Sequence, residues 1–256
     1  MLHDRLVVPG DRVSAHMAFT DRRGGFSSPP FDSFNLGKHV GDEPAAVEAN
    51  RELLASALGL AGARMRYVSQ VHGTHVHEVL EPGAGSPGVS GTDTGPVEAD
   101  AQFTTALDLG LVILVADCTP ILLADPDAGV VAAVHAGRKG MAAGIVRETV
   151  DRMHARGAQR IRAAIGPSVC PRCYEVPADM RAEVAEREPV SASVSRTGTP
   201  ALDVAAGVVA GLHRAGVEIV HWSRACTYEH PDLFSHRAGA PTGRFAGVVW
   251  LRRDPE

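Results

Sequence analysis

Side chains that bind transition metals or act as nucleophiles occur close together in the middle of this chain. Residues 111–140 read LVILVADCTPILLADPDAGVVAAVHAGRKG and include Cys118 and His135. Two apolar runs flank residues 125–129, whose proline, glycine and aspartates are typical of a hairpin turn. If the runs pair as antiparallel strands about that turn, Cys118 lies opposite residue 136, next to His135. We therefore expect a thiol and an imidazole within reach of each other at the open end of a hairpin.

A thiol beside an imidazole permits two kinds of chemistry. The pair can act as nucleophile and general base, or it can supply two ligands to a metal ion such as Zn²⁺. A third ligand would favour the metal, and residues 69–79, SQVHGTHVHEV, offer His72, His75 and His77. His75 and His77 share one face of a strand, whereas a turn after His72 places that side chain at a strand end, where sites form. Spacing alone leaves a buried core cysteine, a Cys–His dyad and a three-ligand metal site open.

Two further cysteines, Cys170 and Cys173, form a C-x-x-C pair, and Cys226 lies nearer the C-terminus. In a reducing compartment such a pair raises the question of redox chemistry. No strand-then-helix pattern of the thioredoxin type surrounds it. We therefore interpret these cysteines as packing around the site.

The composition excludes several classes of protein. The 256 residues contain 25 lysines and arginines against 30 aspartates and glutamates, a net charge of −5, so no basic excess is available to neutralise the phosphates of a nucleic acid. Hydrophobic residues make up 45% and charged residues 21%, as in folded globular proteins. The richest apolar run, residues 110–124, contains Asp117 and Cys118 and is too short to cross a membrane. No secretory signal is visible, so we expect a cytoplasmic protein with reduced cysteines and no membrane partner.

Hydrophobic periodicity and turn residues predict a mixed α/β (α+β) fold: a single domain over residues 1–256, built as a sandwich of mixed β-sheet with flanking helices. Helices are predicted at 43–58, 139–156, 178–187 and 203–215. Strands are predicted at 65–71, 76–80, 99–104, 111–116, 121–124, 130–135, 161–166, 218–222 and 245–252. Residues 81–97 contain five glycines and three prolines and are predicted to form a loop.

Three short blocks carry a family resemblance. QVHG (residues 70–73), ADCTP (116–120) and HAGRKG (135–140) resemble the signature blocks of a family once described as multicopper polyphenol oxidoreductases or laccases. The family is now described as zinc-dependent purine nucleoside phosphorylases, and some members are called peptidoglycan editing factors. The similarity covers nearly the whole chain, with further blocks in the family's order at 31–54, 98–100, 165–176, 201–204 and 226–250. The family usually has Trp after HAG, where this chain has Arg138.

The resemblance implies that His72, Cys118 and His135 are metal ligands. Two imidazoles and one thiolate would leave the fourth position of a tetrahedral Zn²⁺ open for substrate or water. It also implies phosphorolysis of purine nucleosides (adenosine, inosine, guanosine and methylthioadenosine) to free base and ribose 1-phosphate, with adenosine deaminase activity as an associated reaction. The expected partners are a purine nucleoside and phosphate.

Cationic side chains are candidates for binding the phosphate. Arg51, on the first predicted helix, is assigned to the catalytic group together with Cys118 and His135. Arg138 and Lys139 open a predicted helix, whose free N–H groups suit an anion.

Three more residues complete the expected substrate contacts. Asn35 and Gln70 offer paired donor and acceptor groups for ribose or base. Arg237, in the last block, is expected to close the site.

Three other functions stay open at this stage. A copper-dependent polyphenol oxidase would need many His-x-His pairs, but this chain has one, His75 and His77, so zinc is favoured over copper. A cytoplasmic cysteine hydrolase that edits peptidoglycan precursors would use Cys118 and His135 as a dyad. A non-catalytic binding protein would result if Arg138 had ended the chemistry. No exposed apolar helix or heptad stands out, so we expect a monomer.

Overall fold

The structure is a computed structural model that describes residues 1–80 and 97–254. The loop predicted at 81–97 lies, except for Val97, outside the described residues. In the described part, the strands are β1 (Leu2–Val8), β2 (Val13–Thr20), β3 (Met65–Tyr67), β4 (Val76–Glu78), β5 (Ala101–Thr104), β6 (Gly110–Val115), β7 (Thr119–Asp125), β8 (Val130–Ala136), β9 (Arg162–Ile165), β10 (Ala192–Val194), β11 (Pro200–Leu202), β12 (Glu218–Trp222) and β13 (Phe245–Arg253). The α-helices are α1 (Pro44–Leu58), α2 (Arg138–Ala143), α3 (Ile145–Ala155), α4 (Ala178–Arg187) and α5 (Val204–Arg214).

Eleven of these strands form two mixed sheets. The first sheet has the order β1-β2-β13-β6-β3 and is antiparallel except where β3 runs parallel to β6. The second has the order β12-β9-β7-β8-β5-β4, with parallel pairs at its two edges. Strands β1, β2, β10 and β11 were not predicted from the sequence. The prediction of a mixed α/β fold is nevertheless confirmed.

The two sheets pack face to face, and helices cover their outer faces. An apolar cluster between the sheets joins Phe19 and Ile113 of the first sheet to Leu122 and Ala133 of the second. Helix α1 packs on the outside of the first sheet beside the fully buried Trp250. Helices α3 and α5 pack on the outside of the second sheet. Burial of these apolar faces is the main force that holds the sandwich together.

Glycines end or interrupt the helices. Gly59, with φ of 69°, ends α1 as the sequence predicts. The single helix predicted at 139–156 was wrong, because Gly144 adopts a left-handed conformation with φ of 92°. This residue breaks the i to i−4 hydrogen bonds and separates α2 from α3. In the described ranges, no helix has both the length and the apolar character needed to span a bilayer.

The chain passes from the first sheet to the second between β6 and β7. Asp117, in the middle of this crossing, has a left-handed φ of 94°. Strands β7 and β8 then form the predicted hairpin, but Thr119 rather than Cys118 lies opposite Ala136. The predicted register was therefore wrong by one residue. Cys118 still lies directly beyond the last pair of the ladder, at the open end of the hairpin.

Candidate metal centre and cavity

His72, Cys118 and His135 come together at one end of the sandwich although they are far apart in sequence. His72 lies between β3 and β4, Cys118 at the crossing before β7, and His135 near the end of β8. Their ligand atoms all lie within 4.8 Å of one another. Cys118 Sγ is 3.6 Å from His72 Nε2. The fold thus assembles the three residues that the family resemblance names as metal ligands.

Asp100 positions two of these ligands. Its Oδ1 accepts the backbone N–H of His72 at 2.8 Å and lies 2.8 Å from Nδ1 of His135. Its Oδ2 accepts the backbone N–H groups of Val71 and Gly73 at 3.3 and 2.6 Å. Because Nδ1 of His135 bonds to the carboxylate, Nε2 is left to donate a lone pair to a metal.

The sequence analysis did not identify Asp100 as a functional residue. The one available signal was its position in the EAD block, directly before β5. Its side chain is fully buried, and a buried carboxylate requires such partners.

The backbone around the site adopts conformations that sequence spacing does not reveal. His72 has a left-handed φ of 63°, uncommon for a residue with a side chain. Gly137, which precedes α2, lies against the ligands: a Cβ there would be 2.6 Å from His72 Cδ2 and 3.2 Å from Cys118 Sγ. Position 137 therefore requires glycine because the side chains of His72 and Cys118 approach it closely.

The two imidazoles favour Cys118 as a thiolate. Burial alone would raise the pKa of its thiol, but hydrogen bonds with His135 and His72 outweigh burial and lower the pKa of Cys118 to about 6. Burial would lower the pKa of His135, but Asp100 and Cys118 outweigh burial and raise that pKa to about 9. A thiolate is the form of cysteine that both binds metals and acts as a nucleophile.

The side chains of His72, Cys118 and His135 line a cavity of about 1150 Å³. Besides the ligands, its walls contain cationic and aromatic side chains: Lys38, Arg51, Arg138, Arg237, Arg244, Tyr67 and Tyr174. The volume is sufficient for a small organic molecule. The concentration of positive charge indicates that at least part of the occupant is an anion.

Two of the arginines are held in place by backbone carbonyls. Arg51 donates from Nε and Nη2 to the carbonyl of Leu36 at 3.0 and 2.8 Å, and its guanidinium lies 3.8 Å from the centre of the Tyr67 ring. Arg244 donates from Nη1 to two neighbouring carbonyls at 3.0 Å. Burial lowers the pKa of both arginines but leaves them charged.

Arg138 and Arg237 reach the cavity from other elements. Arg138 is the first residue of α2 and interacts with the Tyr174 hydroxyl, and Arg237 lies over the Tyr174 ring at 4.7 Å. Within residues 1–80 and 97–254, none of the four cavity arginines forms an ion pair with a carboxylate. Their charge is therefore available to a ligand.

Two of the residues expected to bind substrate, Asn35 and Lys139, do not line the cavity. Asn35 is fully buried and does not line the cavity. Its Oδ1 accepts the backbone N–H groups of Gly37 and Arg244 at 2.9 and 2.8 Å, and its amide donates to Asp42. Asn35 thus fixes the backbone of a cavity arginine and does not reach a ligand itself.

Gln70 lines the cavity, but its amide is already bonded. It donates to the Leu114 carbonyl at 2.7 Å and accepts from the Leu114 N–H at 2.8 Å. Lys139 is exposed and lies outside the cavity wall. Helix α2, at whose start an anion site was expected, has six residues, and of its first two residues Arg138 alone lines the cavity.

Tyr67 and Tyr174 were missed because a single tyrosine carries no sequence signal. The Tyr67 hydroxyl is buried and has no hydrogen-bond partner in the described part of the chain. Burial raises the pKa of Tyr67 to about 12, so the group is a neutral phenol. A buried hydroxyl without a partner is uncommon in proteins, and Tyr67 is one of the residues that line the cavity.

Known proteins resemble this chain over almost its full length. Residues 16–252 match the family described as multi-copper polyphenol oxidoreductase laccase. The purine nucleoside phosphorylase ORF3 of Streptomyces griseus is 52% identical over 93% of this chain and 95% of its own length. The purine nucleoside phosphorylase SCO2081 of Streptomyces coelicolor is 50% identical over 93% and 96%.

Solved structures share the fold. The protein YfiH of Bacillus licheniformis superposes with a TM-score of 0.82 at 30% identity, covering 92% of each chain. YlmD from Geobacillus stearothermophilus superposes with a TM-score of 0.81 at 31% identity, covering 93% of this chain and 92% of its own. With these matches in sequence and structure, and with the site that the shared blocks assemble, this chain belongs to the multi-copper polyphenol oxidoreductase laccase family.

Proposed function

We propose that this chain catalyses the zinc-dependent phosphorolysis of purine nucleosides, giving free base and ribose 1-phosphate. The observation that carries the proposal is a cavity lined by the His–Cys–His group and by four arginines that form no ion pair with a carboxylate of residues 1–80 or 97–254. The names of the two Streptomyces relatives support the proposal, because both are called purine nucleoside phosphorylase. Adenosine, inosine, guanosine and methylthioadenosine are the proposed substrates.

His72, Cys118 and His135 would hold the zinc ion. One thiolate and two imidazoles fit the preference of Zn²⁺, and three protein ligands leave one position open. Asp100 supplies the acceptor that metal-bound histidines usually have behind them. When bound, zinc supplies a Lewis acid that polarises a substrate oxygen or lowers the pKa of water.

The cavity arginines would bind the phosphate. Phosphorolysis breaks the bond between the ribose C1′ and the purine nitrogen, and a phosphate oxygen forms the new bond to C1′. The bonding electrons leave with the purine, which takes up a proton. Arg51 and Arg244 are held rigidly by carbonyls, so they lose little entropy when they bind an anion.

Aromatic side chains would hold the nucleoside. The unpaired hydroxyl of Tyr67 gains a partner if it donates to a substrate oxygen or nitrogen. Tyr174, which lies between Arg138 and Arg237, offers a ring face near the arginines. We propose a monomer as the active form, because no exposed apolar helix or heptad stands out in the sequence.

A nucleoside panel tests the reaction. The purified protein is incubated with each nucleoside, with and without phosphate, and the bases and sugars are separated by chromatography. We expect free base together with ribose 1-phosphate only when phosphate is present. Release of base without phosphate would indicate a hydrolase instead, and inosine formed from adenosine without phosphate would reveal the deaminase activity as a separate reaction.

An arginine variant tests the phosphate site. We expect Arg244→Ala to raise the KM for phosphate by about 10- to 100-fold, the cost of one charge-assisted contact or more. The matched control is Arg147→Ala, since Arg147 is exposed on α3, outside the cavity wall, and pairs with the exposed Asp151. An unchanged KM for phosphate in Arg244→Ala would place the phosphate elsewhere.

One observation also favours a cysteine nucleophile. The lowered pKa of Cys118 and its nearness to His72 are the conditions for nucleophilic attack as well as for metal binding. Inactivation by iodoacetamide distinguishes the two uses of the thiolate. A metal ligand is protected by excess zinc, whereas a free nucleophile is inactivated at the same rate with zinc present.

A further inference from the structure

A second group of metal-binding side chains lies outside the His–Cys–His site. It consists of Cys170, Cys173, Cys226 and Glu229, which we call the cysteine cluster. Their ligand atoms all lie within 4.8 Å of one another. Neither the metal ligands nor the arginines of the proposed reaction include any of these four residues.

Two loops bring the cluster together. Cys170 and Cys173 lie in a turn after β9, closed by the bond from Cys173 N–H to the Cys170 carbonyl at 3.0 Å. Cys226 lies in the loop after β12, and its Sγ accepts the Cys170 N–H at 3.3 Å. A single bridge between Ser168 and Cys226 aligns the loops. A turn with the spacing C-x-x-C is the usual way in which a chain offers two thiolates to one zinc ion.

The donor set is that of a closed zinc site. Three sulfurs and one carboxylate give four ligands, the number that a structural Zn²⁺ takes, and thiolates select zinc over magnesium or calcium. Cys173 and Cys226 are buried, at 8% and 6% exposure, whereas Cys170 and Glu229 reach solvent and leave a path for the ion.

The surrounding charges point to a divalent cation. With all ligands ionised, the cluster carries four negative charges, and two arginines lie against it. Arg196 donates to Cys173 Sγ at 2.7 Å, and both Arg196 and Arg172 pair with Glu229. The remaining two negative charges equal the charge of one Zn²⁺. N–H groups that donate to sulfur are also the usual partners of metal-bound thiolates.

We propose that the cysteine cluster binds a structural Zn²⁺ and thereby fixes one wall of the cavity. Each of the two loops that form the cluster continues directly into residues at that wall. Tyr174, a cavity residue, directly follows Cys173. Thr227 directly follows Cys226 and donates to Asp117 at 2.6 Å, beside the ligand Cys118. A zinc ion would join these two loops much as a disulfide does.

Metal analysis of the full chain tests the proposal, with variants of the two sites as matched controls for each other. We expect about two zinc ions per wild-type chain, about one in Cys118→Ala and about one in the Cys170→Ser, Cys226→Ser double variant, because each site loses its own ion. Cobalt replaces zinc as a spectroscopic probe. The sulfur-to-cobalt absorption should stay strong in Cys118→Ala, where the cysteine cluster keeps its three thiolates. It should become weak in the double variant, where Cys118 is the one thiolate at an intact site.

The number of zinc ions per chain tests the cysteine cluster independently of the proposed phosphorolysis. One zinc ion in the wild type that is lost in Cys118→Ala would overturn the cysteine cluster and leave the phosphorylase intact. Two ions without nucleoside cleavage would uphold the cluster and overturn the proposed function.

A second measurement uses the wild-type chain, so it does not depend on the folding of a variant. Cys170 is half-buried, so without a metal it should react with iodoacetamide. We expect alkylation of Cys170, followed by peptide mass mapping, to speed up by about 10-fold or more after a strong chelator removes the metal. An equal rate before and after chelation, or a disulfide between Cys170 and Cys173 in the native chain, would overturn the proposal.

Discussion

Each end of the β7–β8 hairpin has a buried aspartate that accepts three backbone N–H groups, but the two aspartates have different roles. At the closed end, the buried Asp125 accepts the backbone N–H groups of Ala128, Gln159 and Arg160 at 3.2, 2.6 and 2.7 Å. At the open end, the buried Asp100 likewise accepts three backbone N–H groups. Asp100 differs in one contact, the bond to His135 Nδ1.

This difference shows how a structural carboxylate becomes part of a site. Burial alone would raise the pKa of either carboxyl group. Three backbone N–H bonds outweigh burial and lower the pKa of Asp125, whereas the bond to His135 and the N–H groups of Gly73 and His72 lower the pKa of Asp100. At the closed end, the bonds fix the turn and tie it to residues 159 and 160 before β9. At the open end, the carboxylate also sets the orientation of an imidazole, so the same contacts fix the position of His72 and the free nitrogen of His135.

The largest effect is expected from removing a ligand at the open end. Cys118→Ala should lose the metal of the His–Cys–His site and lower kcat/KM by at least about 1,000-fold, or about 4 kcal/mol of transition-state stabilisation. Metal content by mass spectrometry and nucleoside kinetics are the measurements. The control is Asp127→Ala, at the closed end of the hairpin, where Asp127 pairs with the exposed Arg160. This variant should keep both its metal content and its kcat/KM. Full occupancy of that site by metal in a folded Cys118→Ala protein would refute the assignment of ligands.

Exchanging each carboxylate for an amide tests the comparison directly. In either Asn variant, the new NH₂ group must face backbone N–H groups, so both variants should lose about 1–3 kcal/mol of stability. Asp100→Asn should in addition weaken zinc binding by about 10- to 100-fold, because His135 loses its orienting acceptor. Chelator competition and urea unfolding measure the two effects. If Asp125→Asn weakens zinc binding as much as Asp100→Asn, the distinction between the two ends is wrong.

The pH dependence of stability gives the next effect in size. The folded pKa of Asp125 lies below the unfolded value of about 3.9, so its contribution is complete above that pH and is lost as pH falls through the folded pKa. We therefore expect wild type to be more stable than Asp125→Asn at neutral pH. The difference should shrink as the pH falls below about 4. Urea unfolding of both proteins across this range measures it, and a pH-independent difference would contradict the role of the carboxylate.

The smallest effect is expected just beyond the open end. Lys139 is exposed and outside the cavity wall, so Lys139→Ala should change kcat/KM by less than about 2-fold, as is usual for a solvent-screened charge. Nucleoside kinetics at two salt concentrations measure it. A loss of activity in Lys139→Ala comparable with that in Arg244→Ala would show that Lys139 does contribute to phosphate binding.

Much of the site could be predicted, and the errors have physical causes. The turn at residues 125–129 correctly predicted that Cys118 lies near His135, although the predicted register was wrong by one residue. A hairpin brings the two strands side by side, so a shift of one residue leaves the two side chains close together. The break at Gly144 was missed because apolar spacing continues across it. Asp100 was missed because its hydrogen bonds join β5 to the segment between β3 and β4, and no local pattern records such contacts.

The sequence by itself determined the chemistry that is available to this protein: its thiols, imidazoles and arginines, its mixed α/β elements, and the blocks that mark its family. Only the tertiary structure decided which of these groups act together. Packing of two sheets brings residues 72, 118 and 135 to one point, and burial leaves four arginines facing a cavity while Asn35 is enclosed. The physical reason is that contacts between distant segments depend on how the whole core packs, which residue type and local spacing do not specify.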